Sequence, residues 1–318
     1  MIWGPKAANH QSGEASVEYR YRICGCHVAT DIELPGAVPV TPDATPDIVL
    51  KRGELPAALP DGVPLGPNWQ IAGDRVLVQI PGRLRFLVTG GKTVVYAPEN
   101  GRSDQDFHIF LCGTALGVLF HQRGGYVVHA SAVEVSGKAM LFCGPSEAGK
   151  STLAAALANA GHPFLSDDIC VLDVLAGGQA TLRPDGRMIK LWSNVIAHLN
   201  MEGGAAVRAG LSKLWVQPPQ TCVPDEVPLG AIYVLLGDRR QTRWEIDRLS
   251  PMKALNALRS NAYRPRMIKA TGAERQWFAA SSALLRRVPI FGLSRPDDLG
   301  LLSEALPVLE GHWRSLNL

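Results

Sequence analysis

Residues 144–152 have the composition and order of a loop that binds phosphate. They are Gly144, Pro145, Ser146, Glu147, Ala148, Gly149, Lys150, Ser151 and Thr152. Glycines let successive backbone N–H groups curl around an anion, and a helix that follows points the positive end of its dipole at the same anion. We expect Lys150 to reach the outer phosphates of a nucleotide and the Ser151 hydroxyl to ligate Mg²⁺. The segment therefore predicts a nucleotide site.

Two adjacent acids, Asp167 and Asp168, follow this loop and precede the apolar residues 169–172, which we interpret as a buried strand. Paired carboxylates at a strand edge beside a phosphate loop suit a metal ion and a proton acceptor, as a kinase requires. An NTPase in which the pair only orients Mg²⁺ and water uses the same placement. Position alone does not choose between these two functions.

The elements around the loop supply its expected context. Residues 138–143 are predicted to form the strand that enters it, and the alanine-rich residues 153–160 the helix that follows. A strand at 126–135 comes before, separated by the turn Ser136-Gly137, and it contains His129. A lone histidine in an apolar strand is commonly a satisfied core group. A neighbouring strand could instead bring His129 beside Asp168, where its charge would tune the pKa of that acid.

Composition limits the class of protein. A chain of 318 residues favours two domains or one large one, and 46% hydrophobic with 19% charged residues is typical of a globular protein with a sizeable core. The net charge of +3 is too small to argue for nucleic-acid binding. We find no run of 18 apolar residues and no apolar signal-peptide core at the N-terminus, so no membrane segment is expected and a cytoplasmic location is predicted.

The composition also predicts where the domains meet. Residues 1–16 are polar and aperiodic, so we expect them to be poorly ordered. Turn signals then separate short apolar runs, which predict a small antiparallel sheet with strands at 17–23, 47–50, 75–80, 84–88 and 93–96. We assign residues 1–103 to this β-rich domain. Residues 104–318 form the phosphate-loop domain, which opens with an amphipathic helix at 104–122.

The C-terminal third carries further elements but no obvious chemistry. Strands are predicted at 231–236 and 288–293, and a helix is predicted to open at Pro251 with Ser250 as its N-cap. A closing helix at 297–306 should end or kink at Pro307. Between these elements lies a basic cluster: Arg259, Arg264, Arg266, Lys269, Arg275, Arg286 and Arg287. It is either a solvated face or a patch that attracts an acidic peptide.

Taken together, these residues resemble the catalytic core of HPr kinase/phosphorylase. The resemblance rests on His129 in its Val-His-Ala-Ser-Ala-Val run, on the loop from Gly144 to Ser151, and on Ser166-Asp167-Asp168 with their intervals. The segments 121–125 and 188–192 are more similar still to HPr-kinase-like proteins found beside peptide-modification genes. Some of those proteins phosphorylate a serine of a lasso-peptide precursor. The resemblance covers about residues 105–318.

The resemblance implies an α/β fold: a P-loop core like the C-terminal domain of HPr kinase and like PEP carboxykinase, with a small N-terminal antiparallel β domain. It also implies that Lys150 and the loop amides bind ATP and that Ser151 binds Mg²⁺. Asp168 would take the proton of an attacking serine with help from His129, and Asp167 would bind the metal or support its ligands. The candidate metal ligands are thus Ser151, Asp167 and Asp168. The implied partner is a peptide or small protein, most specifically a lasso-type precursor.

One departure limits this comparison. Residues 182–187 lack the metal-binding glutamate that the bifunctional enzymes carry there, so phosphorylase activity is not expected, and Asp185 is considered as a substitute ligand. Two other functions stay open: a nucleotide-binding regulatory or assembly protein without turnover, and a small-molecule kinase. The acceptor sequence, the oligomeric state, the nucleobase preference and the role of the N-terminal domain cannot be predicted from these residues.

Overall fold

The computed structural model describes residues 19–41, 45–99, 107–174, 179–208, 210–221, 223–237 and 241–318. Within these ranges the fold is mixed α/β, with two nine-stranded sheets and one two-stranded ribbon. Our predictions for residues 1–16, for the start of the first strand and for the boundary at residues 103 and 104 lie outside the described residues.

The first sheet is built from the N-terminal residues. Its strands are β1 (Tyr19–Ile23), β2 (Cys26–Thr30), β3 (Val38–Pro39), β4 (Ile48–Arg52), β5 (Val63–Gly66), β6 (Trp69–Ala72), β7 (Arg75–Ile80), β8 (Leu84–Thr89) and β9 (Thr93–Pro98). Their order across the sheet is β3-β1-β2-β4-β9-β8-β7-β6-β5. Along β8, buried and half-buried residues alternate because successive side chains point to opposite faces of the sheet.

The prediction of a small, purely antiparallel sheet is wrong in two respects. The sheet has more strands than predicted, and β4 pairs in parallel with both β2 and β9. The chain connects β2 to β4 by a crossover instead of a hairpin, and β3, which lies between them in sequence, pairs with β1. Strand β5 also went unpredicted. It tolerates Pro64 because it lies at the sheet edge, where a missing N–H breaks no ladder on its open side.

The second sheet surrounds the predicted phosphate loop. Its strands are β10 (Tyr126–Val128), β11 (Ala130–Val135), β12 (Lys138–Cys143), β13 (Phe164–Ser166), β14 (Cys170–Val174), β15 (Ala180–Arg183), β18 (Val227–Gly237), β19 (Glu245–Arg248) and β20 (Ile290–Arg295). The long strand β18 is central and pairs in parallel with β12 and β20. The ribbon consists of β16 (Ile189–Trp192) and β17 (Lys213–Val216), paired antiparallel.

The predicted single strand at 126–135 is in fact two strands. Strand β10 pairs with β14, whereas β11 pairs with β12 and β13. His129 lies between them, and its backbone N–H donates to the carbonyl oxygen of Asn261 at 2.8 Å. Because of that hydrogen bond, the His129 N–H does not pair with a strand of the sheet, and the histidine lies where β10 and β11 diverge.

The helices are α1 (Leu116–Gln122), α2 (Lys150–Asn159), α3 (Ser193–His198), α4 (Pro251–Ser260), α5 (Arg266–Ala270), α6 (Glu274–Arg287) and α7 (Ala305–Ser315). A π-helical turn, Phe110–Ala115, precedes α1, so the helix predicted at 104–122 is not regular over the part that is described. Ser250 occupies the N-cap position of α4 as predicted, but without a hydrogen bond from its side chain. None of the described helices is both long and apolar enough to cross a membrane.

The predicted closing helix at 297–306 is wrong in its bounds. A 3-10 helix, Leu299–Glu304, occupies most of that range, and α7 starts directly after it. Pro307 therefore lies in the first turn of α7 instead of ending a helix. The first turn accommodates proline because its N–H groups have no acceptor within the helix.

The first sheet shares its hydrophobic core with residues far along the chain. Phe107, Leu111 and Leu119 are fully buried against it, together with Met267 of α5. A second core packs α2 and α7 against the second sheet and the ribbon. The division of the chain into two domains at residue 103 stays a prediction.

Candidate functional site

The predicted phosphate loop joins β12 to α2, in the strand–loop–helix order that the motif requires. Gly149 is the N-cap of α2 at φ +92°, a left-handed conformation that glycine adopts without strain. The buried Lys150 amine donates to the carbonyl oxygens of Gly144 and Pro145, both at 2.9 Å. Burial is the main cause that lowers the pKa of Lys150. The lysine is thus folded over the loop at the helix N-terminus.

Two side chains from distant elements brace the loop. The Asn261 side-chain oxygen, just after α4, accepts a hydrogen bond from the Gly144 N–H at 2.7 Å. Arg295, at the end of β20, donates its Nε–H to the carbonyl oxygen of Ala148 at 2.7 Å. Both ends of the loop are therefore fixed by hydrogen bonds from outside it.

Asp167 links the loop to the neighbouring strand. Its Oδ1 accepts hydrogen bonds from the Ser151 hydroxyl at 2.7 Å and from the Ser131 hydroxyl at 2.6 Å. The carboxylate is buried and lies directly after β13. The structure thus brings the loop serine and the first acid together at hydrogen-bond distance.

Asp168 lies between two basic groups. Lys190 places its Nζ 2.7 Å from Oδ2, and His129 places its Nε2 3.4 Å from Oδ1. The backbone of Asp168 has φ +74°, which is unusual for a residue with a side chain and is often found where function requires a fixed geometry. Lys190 and His129 therefore approach different oxygens of the Asp168 carboxylate.

The charges of this group are set by burial and by each other. Burial alone would raise the pKa of Asp168, but Lys190 and then His129 outweigh it, so the pKa lies well below its ordinary value. Burial and the nearby Lys150 lower the pKa of His129. Burial opposes the charge on Lys190, yet Asp168 and Asp167 raise its pKa. At neutral pH the site therefore holds a charged Asp168, a charged Lys190 and a neutral His129.

Tyr263 and Arg264 close one side of the site. The Tyr263 ring meets the His129 ring edge-on, with centroids 6.1 Å apart, and burial and then Asp168 raise its pKa to about 12. Helix α1 can approach this ring because it has glycine at 117, where a Cβ would lie 2.3 Å from the tyrosine. Arg264 donates to the Thr114 hydroxyl at 2.8 Å.

These groups surround one cavity of about 560 Å³. The predicted residues in its lining are His129, Ser146, Glu147, Gly149, Lys150, Ser151, Thr152, Asp167 and Asp168. The predicted loop residues Gly144, Pro145 and Ala148 are not part of this lining. Four cationic residues also face the cavity: Lys150, Lys190, Lys213 and Arg264. The lining also holds three acids, Glu147, Asp167 and Asp168, so cations exceed acids by one, four against three. The cationic side chains make the cavity suitable for a polyanion such as a nucleoside triphosphate.

Magnesium fits the residues that are present. Among the described residues, no three His, Cys, Asp or Glu side chains are grouped for a metal ion. Mg²⁺ needs no such set, because it usually takes one or two protein oxygens and completes its shell with phosphates and water. The Ser151 hydroxyl and the Asp167 carboxylate, already 2.7 Å apart, are two hard oxygen ligands beside the loop.

Asp185 does not fit the role of substitute metal ligand. Its carboxylate is fully buried and accepts hydrogen bonds from Arg187 Nε at 3.0 Å and from Nη2 at 2.8 Å. Burial raises the pKa of Asp185, and Arg187 opposes that rise. Both residues are buried and neither lines the cavity, so the carboxylate is committed to the guanidinium.

Several residues of the site were not predicted. Lys190 lies in an apolar run with no spacing that ties it to Asp168, and Asn261, Tyr263 and Arg295 come from elements that only the fold brings near. Arg264 was predicted only as one member of the basic cluster. The alternation in 189–192 is the one signal that could have placed Lys190 on a face opposite to two buried residues.

Comparison with known proteins adds little. No protein family and no curated protein matches the chain. Among solved structures, the HPr(Ser) kinase/phosphatase from Coxiella burnetii is similar over 60% of this chain and 99% of its own, with 12% identical residues and a TM-score of 0.32. A likeness at that TM-score supports no conclusion about function, so a functional assignment depends on the geometry of the site.

Proposed function

We propose that this protein is an ATP- and Mg²⁺-dependent serine kinase of the HPr kinase type, acting on a peptide or small protein. One observation supports it most: the loop lysine, the Ser151–Asp167 pair, and Asp168 with His129 all belong to a single cavity. Phosphoryl transfer needs mainly positioning and charge neutralisation. A lysine, a metal-holding pair and a proton acceptor provide both.

The phosphates of ATP would lie in the loop, at the N-terminus of α2. Lys150 would exchange its two carbonyl partners for the β- and γ-phosphate oxygens, which are stronger acceptors for an ammonium group. Ser151 and Asp167 would hold Mg²⁺. When bound, the ion neutralises phosphate charge during transfer. Both ligands are buried or half-buried, so they would hold a fixed geometry.

The transfer step involves Asp168 and His129. The serine oxygen forms a bond to the γ-phosphorus while the bond from that phosphorus to the bridging oxygen breaks, and ADP leaves with the electron pair. The hydroxyl proton passes to the Asp168 carboxylate. Because the pKa of Asp168 is low, the proton does not stay there. Neutral His129, with Nε2 3.4 Å from Asp168 Oδ1, is the next acceptor.

The acceptor is proposed from the resemblance described above. A ribosomally made precursor peptide of lasso type is the most specific candidate, and the reaction would consume one ATP for each serine modified. The first sheet reaches the edge of the site, where the Arg264 guanidinium lies 5.9 Å from the centroid of the Trp69 ring. An acceptor chain that enters here would contact both sheets.

The test is incubation with γ-labelled ATP, Mg²⁺ and serine-containing peptides, followed by mass spectrometry of the peptides. Asp168→Asn should reduce transfer by at least about 100-fold, because the proton acceptor is lost, while ATP still binds. Asp173→Asn is the matched control: it removes a carboxylate from another Asp–cation pair, with Arg183, outside the cavity.

Three results would contradict the proposal. Equal transfer by Asp168→Asn would remove the proton-acceptor role. Tight ATP binding by the unaltered protein without phosphate on any peptide would favour a regulatory nucleotide-binding protein. Phosphate on a small hydroxyl compound instead of a peptide would identify a small-molecule kinase.

A further inference from the structure

The ribbon formed by β16 and β17 has two chemically different faces. One face carries two lysines and two tryptophans, of which all but Trp215 line the cavity: Lys190, Trp192, Lys213 and Trp215. They pair directly across the strands, Lys190 with Trp215 and Trp192 with Lys213. Each lysine Nζ lies close to the ring opposite, at 5.7 Å and 4.7 Å from the centroids. The ribbon belongs to neither large sheet, yet it forms one wall of the site.

The other face anchors the ribbon. Ile189 and Leu191 are buried in the second hydrophobic core, together with Val216 of the facing strand. The backbone on either side of Lys190 is therefore fixed. Its side chain has four methylene groups and can move its ammonium several ångströms without any change in the backbone. A lysine on a fixed strand beside a cavity is suited to reach more than one partner.

In this structure the partner of Lys190 is the residue that should accept the proton. Its Nζ lies 2.7 Å from Asp168 Oδ2, and His129 approaches the other oxygen at 3.4 Å. Lys190 occupies Oδ2 and the His129 ring stands beside Oδ1, so an incoming serine hydroxyl can reach the carboxylate only through the acceptor positions that these neighbours leave open. The arrangement therefore holds Asp168 in a resting state, which a competing anion must release.

The γ-phosphate of ATP is the anion best placed to compete. In the proposed binding mode the loop would direct the outer phosphates toward Lys150 and Ser151, and Ser151 is hydrogen-bonded to the residue next to Asp168. Lys190 and Lys150 line the same cavity, so a phosphate between them would meet both ammonium groups. A doubly charged phosphate attracts an ammonium more strongly than a single carboxylate does.

We propose that Lys190 is a catalytic residue that transfers its ammonium from Asp168 to the γ-phosphate when ATP binds, and so frees Asp168 only when a transferable phosphate is present. This rests on the proposed function of the same cavity. Lys190 stays charged throughout, and no bond other than a hydrogen bond changes. ADP lacks the γ-phosphate and leaves Lys190 on Asp168, so Lys190 distinguishes the substrate nucleotide from the product.

The test compares nucleotide affinities in a background without the Asp168 charge. Asp168→Asn and the double variant Asp168→Asn/Lys190→Met differ only in the lysine, and neither leaves a buried aspartate without its lysine partner. Calorimetric titration with Mg²⁺ and a non-hydrolysable ATP analogue should show at least about 10-fold weaker binding by the double variant, equivalent to about 1.4 kcal/mol. ADP should bind both variants within about twofold, because it makes no contact with Lys190.

Two further variants sharpen the test. Lys190→Arg in the same background keeps the charge and should keep the preference for the analogue over ADP. Lys138→Met, which removes a half-buried lysine from β12 outside the cavity, should change neither affinity. With the native Asp168, Lys190→Met should lower kcat for peptide phosphorylation by at least about 10-fold.

Three outcomes would overturn the inference: equal loss of analogue and ADP binding, no loss of either, or no nucleotide binding by the unaltered protein. The binding measurements need no acceptor peptide. If the protein binds nucleotide and phosphorylates no peptide, the proposed function fails, while the difference between analogue and ADP still decides the role of Lys190.

Discussion

The imidazole of His129 is placed between charges of opposite sign. Lys150 disfavours its protonated form and Asp168 favours it, while burial adds to the effect of the lysine and is the largest of the three. The sum lowers the pKa of His129. A neutral imidazole is what a secondary proton acceptor requires, so the charge balance at this residue agrees with the transfer step proposed above.

The pKa of His129 should therefore be measured by NMR titration of the metal-free protein, with the signal assigned through His129→Gln. The midpoint should lie below the ordinary value of about 6.5, and Lys150→Met should raise it because a repelling charge is removed. In the active protein, the rate should fall only as the pH drops below about 6.5, when the imidazole becomes protonated. A midpoint at or above the ordinary value would contradict this account.

At the level of single residues, the sequence was informative where a motif has a fixed spacing. Lys150, Ser151, Asp167 and Asp168 could be grouped from their positions alone, and the structure brings them into one cavity. Lys190 could not be added to the group, because an ion pair between residues on separate elements leaves no periodic signal. Its distance from Asp168 depends on how the ribbon packs.

The loop between β12 and α2 depends on elements that follow it much later in the chain. Asn261 is the most connected of these braces: its side-chain oxygen accepts from Gly144, and its side-chain nitrogen donates to the carbonyl oxygen of Ala257. Its own carbonyl oxygen accepts from the backbone of His129. One residue thus positions both the loop and the histidine.

Asn261→Ala should destabilise the protein by about 1–3 kcal/mol, because the buried Gly144 N–H loses its acceptor. It should also weaken ATP binding, since the loop is no longer held open for phosphate. Asn256→Ala removes an exposed asparagine from α4, the helix that ends just before Asn261, and should change neither property. Chemical denaturation and calorimetric titration measure the two effects. Unchanged ATP affinity with Asn261→Ala would show that the loop needs no brace.

Among the elements, those with strong local signals could be predicted. The alanine-rich run after the loop is a helix, and the apolar run at 231–236 lies within β18. The parallel pairing of β4 and the break at His129 could not be predicted, because long-range hydrogen bonds determine both. The place of Pro307 could not be predicted either, because a proline can end one helix or lie in the first turn of the next, and packing decides which.

For the whole molecule, the shared core is the main feature. Residues of the first sheet, such as Val94, are buried in the same cluster as Leu116 of α1 and Met267 of α5. A backbone hydrogen bond of 3.1 Å from the Cys24 N–H to the Pro184 carbonyl oxygen also joins the first sheet to the segment after β15. The shared core could not be predicted when the chain was divided at residue 103, because composition does not indicate which surfaces pack against each other.

Unfolding should therefore be one cooperative event. Scanning calorimetry should give a single transition. Mg²⁺ with an ATP analogue should raise the midpoint temperature of that transition by stabilising the native state. Val94→Ala creates space in the shared core at a residue that does not line the cavity, and it should lower the same midpoint. Two separate transitions, of which nucleotide moves only one, would show that the first sheet folds independently.

A structure of the protein with Mg²⁺ and a non-hydrolysable ATP analogue would test the proposed kinase site. The γ-phosphorus should lie within about 6 Å of an Asp168 carboxylate oxygen, which leaves room for one serine oxygen between them, and the Lys150 amine should contact the same phosphate. A γ-phosphate more than about 10 Å from Asp168 and His129 would contradict this proposal, because no proton could pass from the acceptor to either group.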